Sequence, residues 1–348
     1  MAIAELAGYR RFEVKPYARP LPAAGEVQVR MAAVGICGSD LHHFVDGHIG
    51  DNESVYPMVL GHEPAGVITA LGEDVTGWSI GDRVACEPPI YCYHCEWCMK
   101  GLHNLCENVT FMSNPGVPGF FRDHVTLPAA NLLPLPASMS LAEATLYEPI
   151  SIILHSFRYV QPKLGDTAAV FGAGPIGLTT ISALKLAGIS RLWCVEPVAY
   201  RRVIALQMGA DAVIDPSQAD PVKQILCETG QRGVDLSVDC ASQDDTVNQS
   251  MYVACPGGRV VITGVPQTRR LDNFDFHHMR RKELYFASVR RSNNKGHAAL
   301  DLLQQHKDRF LPMLTHRMPM SKIQSAFEML MRFEGGACKV VVEPEQEN

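Results

Sequence analysis

The sequence predicts an α/β plus β protein with two domains, one rich in short strands and one built around a doubly wound parallel sheet. Alternating, valine-rich segments broken by glycine turns fill the first part of the chain, as at 25–36 and 57–82. From residue 168 onward, short apolar strands alternate with helical patterns instead. The length of 348 residues allows two separate hydrophobic cores.

The composition is that of an ordinary globular protein, with 47% hydrophobic and 20% charged residues. The formal net charge is −6 and no basic stripe is present, which argues against nucleic acid as a partner. No apolar run is long enough for a signal peptide or a membrane span. The eleven cysteines, an odd number, are therefore expected to be reduced thiols and metal ligands in a cytoplasmic protein.

The strand predicted at 25–36 delivers Cys37 to its end, and Gly61-His62-Glu63 follows in the next strand-rich stretch. A thiolate, an imidazole and a carboxylate that converge on one ion form a catalytic zinc site if one position remains open for water. On these three residues alone, a buried apolar Cys37 with His62 and Glu63 facing opposite ways is an equally good interpretation.

A second metal site is indicated by four cysteines with the spacing C-x2-C-x2-C-x7-C, namely Cys92, Cys95, Cys98 and Cys106. Two intervening residues let neighbouring thiolates reach one tetrahedral ion, and a four-sulfur shell suits a structural Zn²⁺. An iron–sulfur cluster, which also uses four cysteines, is the alternative.

The middle of the chain carries a dinucleotide-binding pattern between a strand at 168–171 and a helix at 178–186. Gly172 is predicted to make a tight turn, Gly174 to let the backbone approach a pyrophosphate, and Gly177 to let helix and strand pack closely, with Pro175 and Ile176 between them. The helix N-terminus supplies free N–H groups for the phosphates.

An acidic residue follows at the expected distance. Glu196 ends the next strand, nineteen residues past Gly177, where a carboxylate can bind the ribose hydroxyls. Its charge would repel a 2′-phosphate, which favours NAD over NADP. Arg201 and Arg202 lie close enough to accommodate that phosphate instead, or to pair with Glu196.

An open zinc beside a nicotinamide indicates oxidation of an alcohol, because the metal acidifies the hydroxyl and the cofactor accepts hydride. The released proton needs a path to solvent, and Ser39 and His42 are candidates for it. A turn-forming serine and a solvated loop histidine are the simpler alternatives. Phe120 is a candidate wall of the substrate pocket, and Glu148, beside an apolar run, is a candidate for contact with the metal.

Five motifs spread over nearly the whole chain together resemble the zinc-containing medium-chain dehydrogenase/reductases, and within them the polyol (sorbitol-type) dehydrogenases. The motifs are Cys37-Gly-Ser-Asp-Leu-His42, Gly61-His62-Glu63, the four-cysteine lobe, Glu148-Pro-Ile-Ser and Gly172-Ala-Gly174-Pro-Ile-Gly177. The resemblance implies a GroES-like catalytic domain at 1–149 and 288–348, with a structural zinc lobe at 86–107. It implies a Rossmann domain at 150–287.

The resemblance also implies roles for single residues. Cys37 and His62 are similar to the zinc ligands of the family, while Glu63 and Glu148 would act on the metal directly or through water. Ser39 matches the proton-relay hydroxyl. Glu196 with Arg201 matches the ribose-binding pair, and Arg291 falls where polyol enzymes carry an arginine that touches substrate. Family members are commonly homodimers or homotetramers.

The sequence therefore predicts an NAD-dependent zinc enzyme that oxidises a secondary alcohol of a polyol to a ketose. The same chemistry on sugar acids, polyol phosphates or simple diols is the first alternative, because Arg291 and its neighbour Arg290 suit an anionic substrate. A non-catalytic, redox-sensing nucleotide-binding protein is the second alternative. Such a sensor would have no need of a proton relay.

Overall fold

The computed structural model describes residues 1–266, 270–271 and 273–344, apart from the side chain of Asp244. No helix in these ranges is long and apolar enough to span a membrane. The strands are β1 Ala2–Gly8, β2 Arg11–Pro16, β3 Glu26–Gly35, β4 His48–Ile49, β5 Asn52–Glu53, β6 Glu63–Leu71, β7 Arg83–Cys86, β8 Pro89–Ile90, β9 Thr110–Phe111, β10 His124–Pro128, β11 Leu132–Pro134, β12 Thr167–Phe171, β13 Arg191–Val195, β14 Ala212–Ile214, β15 Val234–Asp239, β16 Ala254–Ile262, β17 Tyr285–Ser288, β18 Leu314–Pro319 and β19 Lys339–Glu343.

The helices are α1 Gly38–Val45, α2 Glu96–Met99, α3 Leu141–Ala144, α4 Tyr147–Val160, α5 Pro175–Leu186, α6 Ala199–Gln207, α7 Pro221–Glu228, α8 Asp244–Val253, α9 Phe276–Arg281, α10 Gly296–Gln305, α11 Lys307–Phe310 and α12 Ile323–Met331. Helices α5 to α9 alternate with the strands from β12 to β17, as the helical patterns after residue 168 predict.

The chain divides into two compact units. The first contains Met1–Glu148, Gly296–Gln305 and the segment from Leu314 onward, and the second contains Pro149–Lys295 and His306–Met313.

The first unit is built on a mainly antiparallel sheet with the order β11-β7-β6-β3-β19-β18, and β10 also pairs with β3. Its core joins β-strand residues to α1 and α12, with Phe12, Phe44 and Phe327 in mutual ring contact. The segment 115–138, which reads as irregular from its Pro and Gly content, contains the strands β10 and β11. Their backbone pairing with β3 and β7 outweighs the local composition.

The second unit is a six-stranded parallel sheet with the order β14-β13-β12-β15-β16-β17. With β12 counted as the first strand, this is the 3-2-1-4-5-6 order of doubly wound dinucleotide-binding folds. The strand order reverses at β12, and the crevice at the carboxyl end of that strand is where such folds bind ligands.

The second unit is larger than the predicted range of 150–287. It also contains residues 288–295 and 306–313. The second of these segments belongs to it because α11 and the turn after it pack on α5. Ser182 Oγ donates a 2.7 Å hydrogen bond to the carbonyl of Arg309, and Thr179 lies 3.6 Å from the sulfur of Met313. The sequence pattern after 288 shows a helix but not the surface on which it packs.

Candidate active site and dinucleotide site

The sheet of the first unit brings the predicted catalytic ligands together. β3 ends at Gly35, two residues before Cys37, and β6 begins at Glu63, directly after His62. Gly35 and Glu63 are paired across the two antiparallel strands. A Cβ at Gly35 would lie 2.1 Å from a carboxylate oxygen of Glu63, so only glycine fits there.

Cys37, His62 and Glu63 offer ligand atoms that all lie within 4.8 Å of one another. His62 and Glu63 are buried and Cys37 is partly exposed. Burial by itself lowers the pKa of His62, but the negative charges of Asp40 and Cys37 outweigh it and raise that pKa well above its ordinary value. Surroundings that stabilise positive charge on a buried imidazole also suit a divalent cation, and the donor set is one that zinc uses.

Glu148 lies at the start of α4 but is not part of this close group of ligand atoms. Burial raises its pKa to about 7. The charge of Glu63 adds to this rise, while His62 and Lys339 oppose it. Glu148 is therefore electrostatically coupled to the site, and the structure brings three of the four predicted ligands into one cluster.

Asp40 organises the cluster, although the sequence assigned it no role. Its carboxylate accepts hydrogen bonds from the backbone N–H groups of Cys37 (3.0 Å) and Gly61 (3.1 Å) and from the hydroxyl of Ser113 (3.2 Å). The same carboxylate lies 3.4 Å from Nδ1 of His62. One buried group thus ties both ligand-bearing segments together, as outer partners of metal ligands do.

Lys339 is the second residue that sequence reasoning missed. Its ammonium contacts both carboxylate oxygens of Glu63 at 2.7 Å and the carbonyl of Ile36 at 3.0 Å, and both side chains of the ion pair are buried. The available signal was a lysine at the start of the otherwise apolar final strand. The ion pair fixes the orientation of Glu63 and compensates its buried charge.

The predicted proton-relay residues lie on α1. Cys37 is the N-cap residue of this helix, and Ser39 Oγ lies 3.4 Å from Nε2 of His62. His42 follows three residues after Ser39, so the two share one face of the helix. The turn conformation proposed as the simpler alternative for Ser39 is replaced by a helix.

The four cysteines of the lobe form a second cluster, with all four sulfurs within 4.8 Å. The sulfur of Cys106 lies 3.5 Å from that of Cys92 and 3.9 Å from that of Cys95, and Cys92 and Cys98 are 4.0 Å apart. A tetrahedron with Zn–S bonds of about 2.3 Å has edges of about 3.8 Å. Backbone hydrogen bonds from His94 and Cys95 lower the pKa of Cys92 to about 5. The sulfurs are spaced for one ion.

The glycine turn of the second unit has the expected local geometry. Gly172 has φ +91°, which favours glycine, and Gly174 is the N-cap residue of α5 with Pro175 and Ile176 in its first turn. A Cβ at Gly177 would lie 1.9 Å from the carbonyl oxygen of Gly172. The close contact between helix and turn therefore requires glycine at 177.

Glu196 follows β13 and is buried beside this turn, with 3% of its surface exposed. Oε2 accepts a 2.6 Å hydrogen bond from the backbone of Ala173, inside the turn, and Oε1 accepts one of 2.9 Å from Val198. The carboxylate thus braces the turn, a role that sequence reasoning missed. Its contact with a ribose stays a prediction.

Of the two arginines after Glu196, Arg202 is fully engaged within its own unit. It donates to the carbonyls of Glu196 (2.8 Å) and Pro197 (2.7 Å) and forms a 3.0 Å ion pair with Asp215. The alternative in which Arg202 pairs with the carboxylate of Glu196 is replaced by the pair with Asp215. Arg201 lies in the first turn of α6 and remains the candidate partner for the nucleotide.

The structure decides one of the two predicted substrate contacts, that of Phe120, and leaves the other, that of Arg291, as a prediction. Phe120 does not line a pocket in this structure, because its ring is completely buried in the core of the first unit, as is that of Phe121, which packs against Phe327. A pair of Phe residues is also more often buried in a core than placed in the wall of a pocket. Arg291 lies in the second unit with φ +56°, and its contact with substrate stays a prediction.

Comparison with known proteins adds two family matches. Residues 23–137 match the alcohol dehydrogenase GroES-like domain, and residues 175–305 match the zinc-binding dehydrogenase family. Together with the parallel sheet of the second unit, these matches confirm the predicted fold class.

Curated relatives cover almost the whole chain. The sorbitol dehydrogenase of Bacillus subtilis is 32% identical over 335 residues, which is 95% of this chain and 94% of that protein. The L-idonate 5-dehydrogenase of Vitis vinifera is 33% identical over 97% of this chain and 93% of its own length.

Solved structures agree with these relatives. A zinc-binding dehydrogenase of Sinorhizobium meliloti bound to NADP superposes with a TM-score of 0.90 at 28% identity, covering 99% of both chains. A protein of Escherichia coli CFT073 described as a short chain alcohol dehydrogenase, complexed with NADH, gives 0.90 at 29% identity over 99% of both chains. The chain belongs to the zinc-containing medium-chain dehydrogenase/reductase family, in its polyol (sorbitol-type) dehydrogenase subgroup.

Proposed function

We propose that this protein is a zinc-dependent dehydrogenase that oxidises a secondary alcohol of a polyol or sugar alcohol to a ketone and passes the hydride to NAD. The observation that carries the proposal is the cluster of Cys37, His62 and Glu63, within 4.8 Å, in a chain 32% identical to a sorbitol dehydrogenase along 95% of its length.

Cys37 and His62 would hold the catalytic zinc, with Glu63 and Glu148 acting on it directly or through water. When bound, zinc supplies Lewis-acid polarisation of the alcohol oxygen, and NAD supplies the hydride acceptor. Lys339 holds Glu63 in one orientation through two contacts of 2.7 Å. Cys92, Cys95, Cys98 and Cys106 would hold a second, structural zinc.

Ser39 and His42 carry the proton of the alcohol away from the buried site. The hydroxyl of Ser39 passes a proton along its oxygen without accumulating charge, and the imidazole of His42, on the same face of α1, can take the proton up next. The side chain of His42 is 22% exposed, so it can exchange this proton with water.

NAD is the preferred cofactor because the carboxylate of Glu196 beside the glycine turn repels a 2′-phosphate. Arg202 is engaged by Asp215, and we assign the role of the ribose-binding partner of Glu196 to Arg201. Related structures bound to NADP and to NADH both exist, so the preference belongs to these residues rather than to the fold.

A panel of alcohols with NAD, followed at the nicotinamide absorbance, tests the proposal together with zinc analysis of the purified protein. We expect about two zincs per chain and turnover of polyols with vicinal secondary alcohols. Cys37→Ala should abolish turnover and remove one zinc. Cys227→Ala, an exposed cysteine on α7, is the matched control and should change neither. Unchanged turnover in Cys37→Ala would contradict the catalytic site.

The same chemistry on a sugar acid is the second candidate, favoured by one observation. The L-idonate 5-dehydrogenase of Vitis vinifera matches this chain as well as the sorbitol dehydrogenase does. Arg290 and Arg291 would then bind the carboxylate. Activity confined to anionic substrates in the same panel, lost in Arg291→Gln, selects this candidate over the neutral polyol.

The assembly that we propose is a homodimer or homotetramer in the cytoplasm. β17 is an edge strand of the parallel sheet, and its Tyr285 is 47% exposed, so a second copy has a strand edge to pair with. Light scattering should give two or four times the 38.2 kDa chain mass. A monomer at micromolar concentration would reject the assembly, and cell fractionation tests the location.

A further inference from the structure

His42 is paired with an acidic residue that no part of the proposed chemistry uses. Nδ1 of His42 lies 2.8 Å from Oδ2 of Asp46, one helical turn further along α1. The side chains are 22% and 28% exposed, so the contact is partly shielded from water. Ser39, His42 and Asp46 are spaced i, i+3 and i+7 and form one stripe along the helix, which begins at the metal cluster.

We propose that Asp46 is a positioning residue for proton transfer. By accepting the Nδ1–H bond, its carboxylate holds the proton of neutral His42 on Nδ1 and leaves Nε2 as the nitrogen that takes up the proton of the alcohol. This inference rests on the proposed function, because it assigns a partner to the proton-relay histidine. Histidines in such roles depend on the hydrogen bond at their other nitrogen.

The place of Asp46 in the helix supports a role other than capping. Asp46 is the C-cap residue of α1, where a carboxylate faces the negative end of the helix dipole. The carbonyl of Val45 already accepts hydrogen bonds from Tyr9 (2.6 Å) and Arg10 (3.2 Å). An acid at this position costs helix stability, and its side-chain contact is with the imidazole.

The proton balance is simple. Ser39 Oγ takes the proton of the alcohol and gives its own to Nε2 of His42, and the resulting imidazolium releases one proton from Nε2 to water. The Nδ1 proton stays in the hydrogen bond to Asp46 throughout. The imidazolium forms beside a carboxylate, which stabilises it.

Other ionisable groups on α1 or on the elements packed against it include Asp40 and His43 on α1 itself, Tyr9 and Arg10 in the β1–β2 turn, His48 in β4 and Glu328 in α12. His43 contacts Ser54 Oγ at 2.8 Å through its own Nδ1, so it does not share the acceptor of His42.

The test compares Asp46→Asn, His42→Ala and the double variant in the zinc-loaded enzyme. We expect Asp46→Asn to lower kcat about tenfold with little change in the KM for NAD or in zinc content. The double variant should be no slower than His42→Ala, because Asp46 acts only through His42. Glu53→Gln, an exposed acid on β5, removes the same charge nearby and should leave kcat unchanged.

A second measurement does not depend on turnover. In protein with ¹⁵N-labelled histidine, the His42 signals, assigned by their loss in His42→Ala, should report the Nδ1–H form in the wild type and a mixture of both tautomers in Asp46→Asn. An unchanged tautomer in Asp46→Asn, or losses of kcat that add in the double variant, would overturn the proposal. Wild-type protein without turnover on any alcohol contradicts the proposed function instead, and the tautomer then still decides the role of Asp46.

Discussion

Asp40 is a single buried carboxylate on which two ligand-bearing segments depend. Oδ2 accepts from Cys37, and Oδ1 accepts from Gly61 and Ser113. In Asp40→Asn an amide NH₂ would replace one oxygen and oppose at least one of these donors. We expect zinc affinity at the catalytic site to fall about 10–100-fold, measured by competition with a chelator, with the four-cysteine site unaffected.

Ser113→Ala is the graded control for this prediction, because it removes one donor and leaves both oxygens. Its effect on zinc affinity should be smaller than that of Asp40→Asn. Equal zinc affinity in wild type and Asp40→Asn would show that the ligands hold their positions without this carboxylate.

Asp235, at the start of β15, gives a prediction on stability and pH. Burial alone raises its pKa, but hydrogen bonds from Arg232 and from the backbone and hydroxyl of Thr167 lower it to about 2. The folded pKa lies below the unfolded value of about 3.9, so this carboxylate stabilises the fold above pH ~4. That contribution is lost as the pH falls from ~4 to ~2.

Asp235→Asn should therefore lower the free energy of unfolding at pH 7 by about 1–2 kcal/mol, a figure reduced for partial solvent exposure. Urea denaturation at several pH values measures it. The difference from wild type should shrink toward zero near pH ~2, whereas the exposed Glu53→Gln control should show no such trend. A difference that stays constant at low pH would mean that Asp235 acts through packing rather than charge.

Residue types and spacing were enough to predict the ligands but not their partners. The four lobe cysteines follow from a motif whose spacing is itself the signal, whereas Cys37 and His62 follow from the resemblance to the dehydrogenase family. Asp40 and Lys339 act through contacts between residues 21 and 276 positions apart, which depend on the register of β3, β6 and β19. A single sequence does not specify that register.

At the level of elements, two glycines of the glycine turn have different roles: Gly174 lets the cofactor approach the backbone, and Gly177 lets α5 pack on the turn. A Cβ at Gly174 meets no atom within 4 Å, whereas a Cβ at Gly177 would lie 1.9 Å from the carbonyl of Gly172. Gly174→Ala should leave the fold intact and weaken NAD binding, because the pyrophosphate approaches the backbone there. Gly177→Ala should displace α5 from the turn and lower both stability and NAD binding.

Calorimetric titration with NAD and thermal melting distinguish these outcomes. We expect a melting temperature close to wild type for Gly174→Ala and a fall of several degrees for Gly177→Ala, corresponding to an overpacking cost of about 1–3 kcal/mol. NAD binding as tight as wild type in Gly174→Ala would place the pyrophosphate elsewhere.

The strands and helices of the parallel sheet were predictable because their periodicity is local, and β12, α5 and β13 lie where the sequence places them. The predictions failed where tertiary contacts decide. Ser140 and Glu143 form a capping box, a signal that the sequence pattern S-x-x-E carries, but the helix that they cap ends at Ala144 and α4 begins separately at Tyr147. Phe120 lies in a core that composition alone cannot distinguish from a pocket wall.

For the whole molecule, both proposed zinc sites lie in the first unit and the dinucleotide site lies in the second. Removal of zinc and binding of NAD should therefore change hydrogen exchange in different peptides. A strong chelator should speed exchange in peptides that cover 86–111, because the four sulfurs lose the ion that holds the lobe together. Peptides from β12 to β15 should exchange as before.

NAD should slow hydrogen exchange, and it should do so in the second unit rather than in the cysteine lobe. At 100 times its dissociation constant it stabilises the protein that binds it by about 2.7 kcal/mol, which slows exchange through unfolding of that unit about 100-fold. The slowed peptides should cover the glycine turn and Glu196, and NADP at the same concentration should slow them less. Equal protection by both cofactors would remove the charge argument for NAD, and faster exchange of β12 to β15 on chelation would mean that the units do not unfold independently.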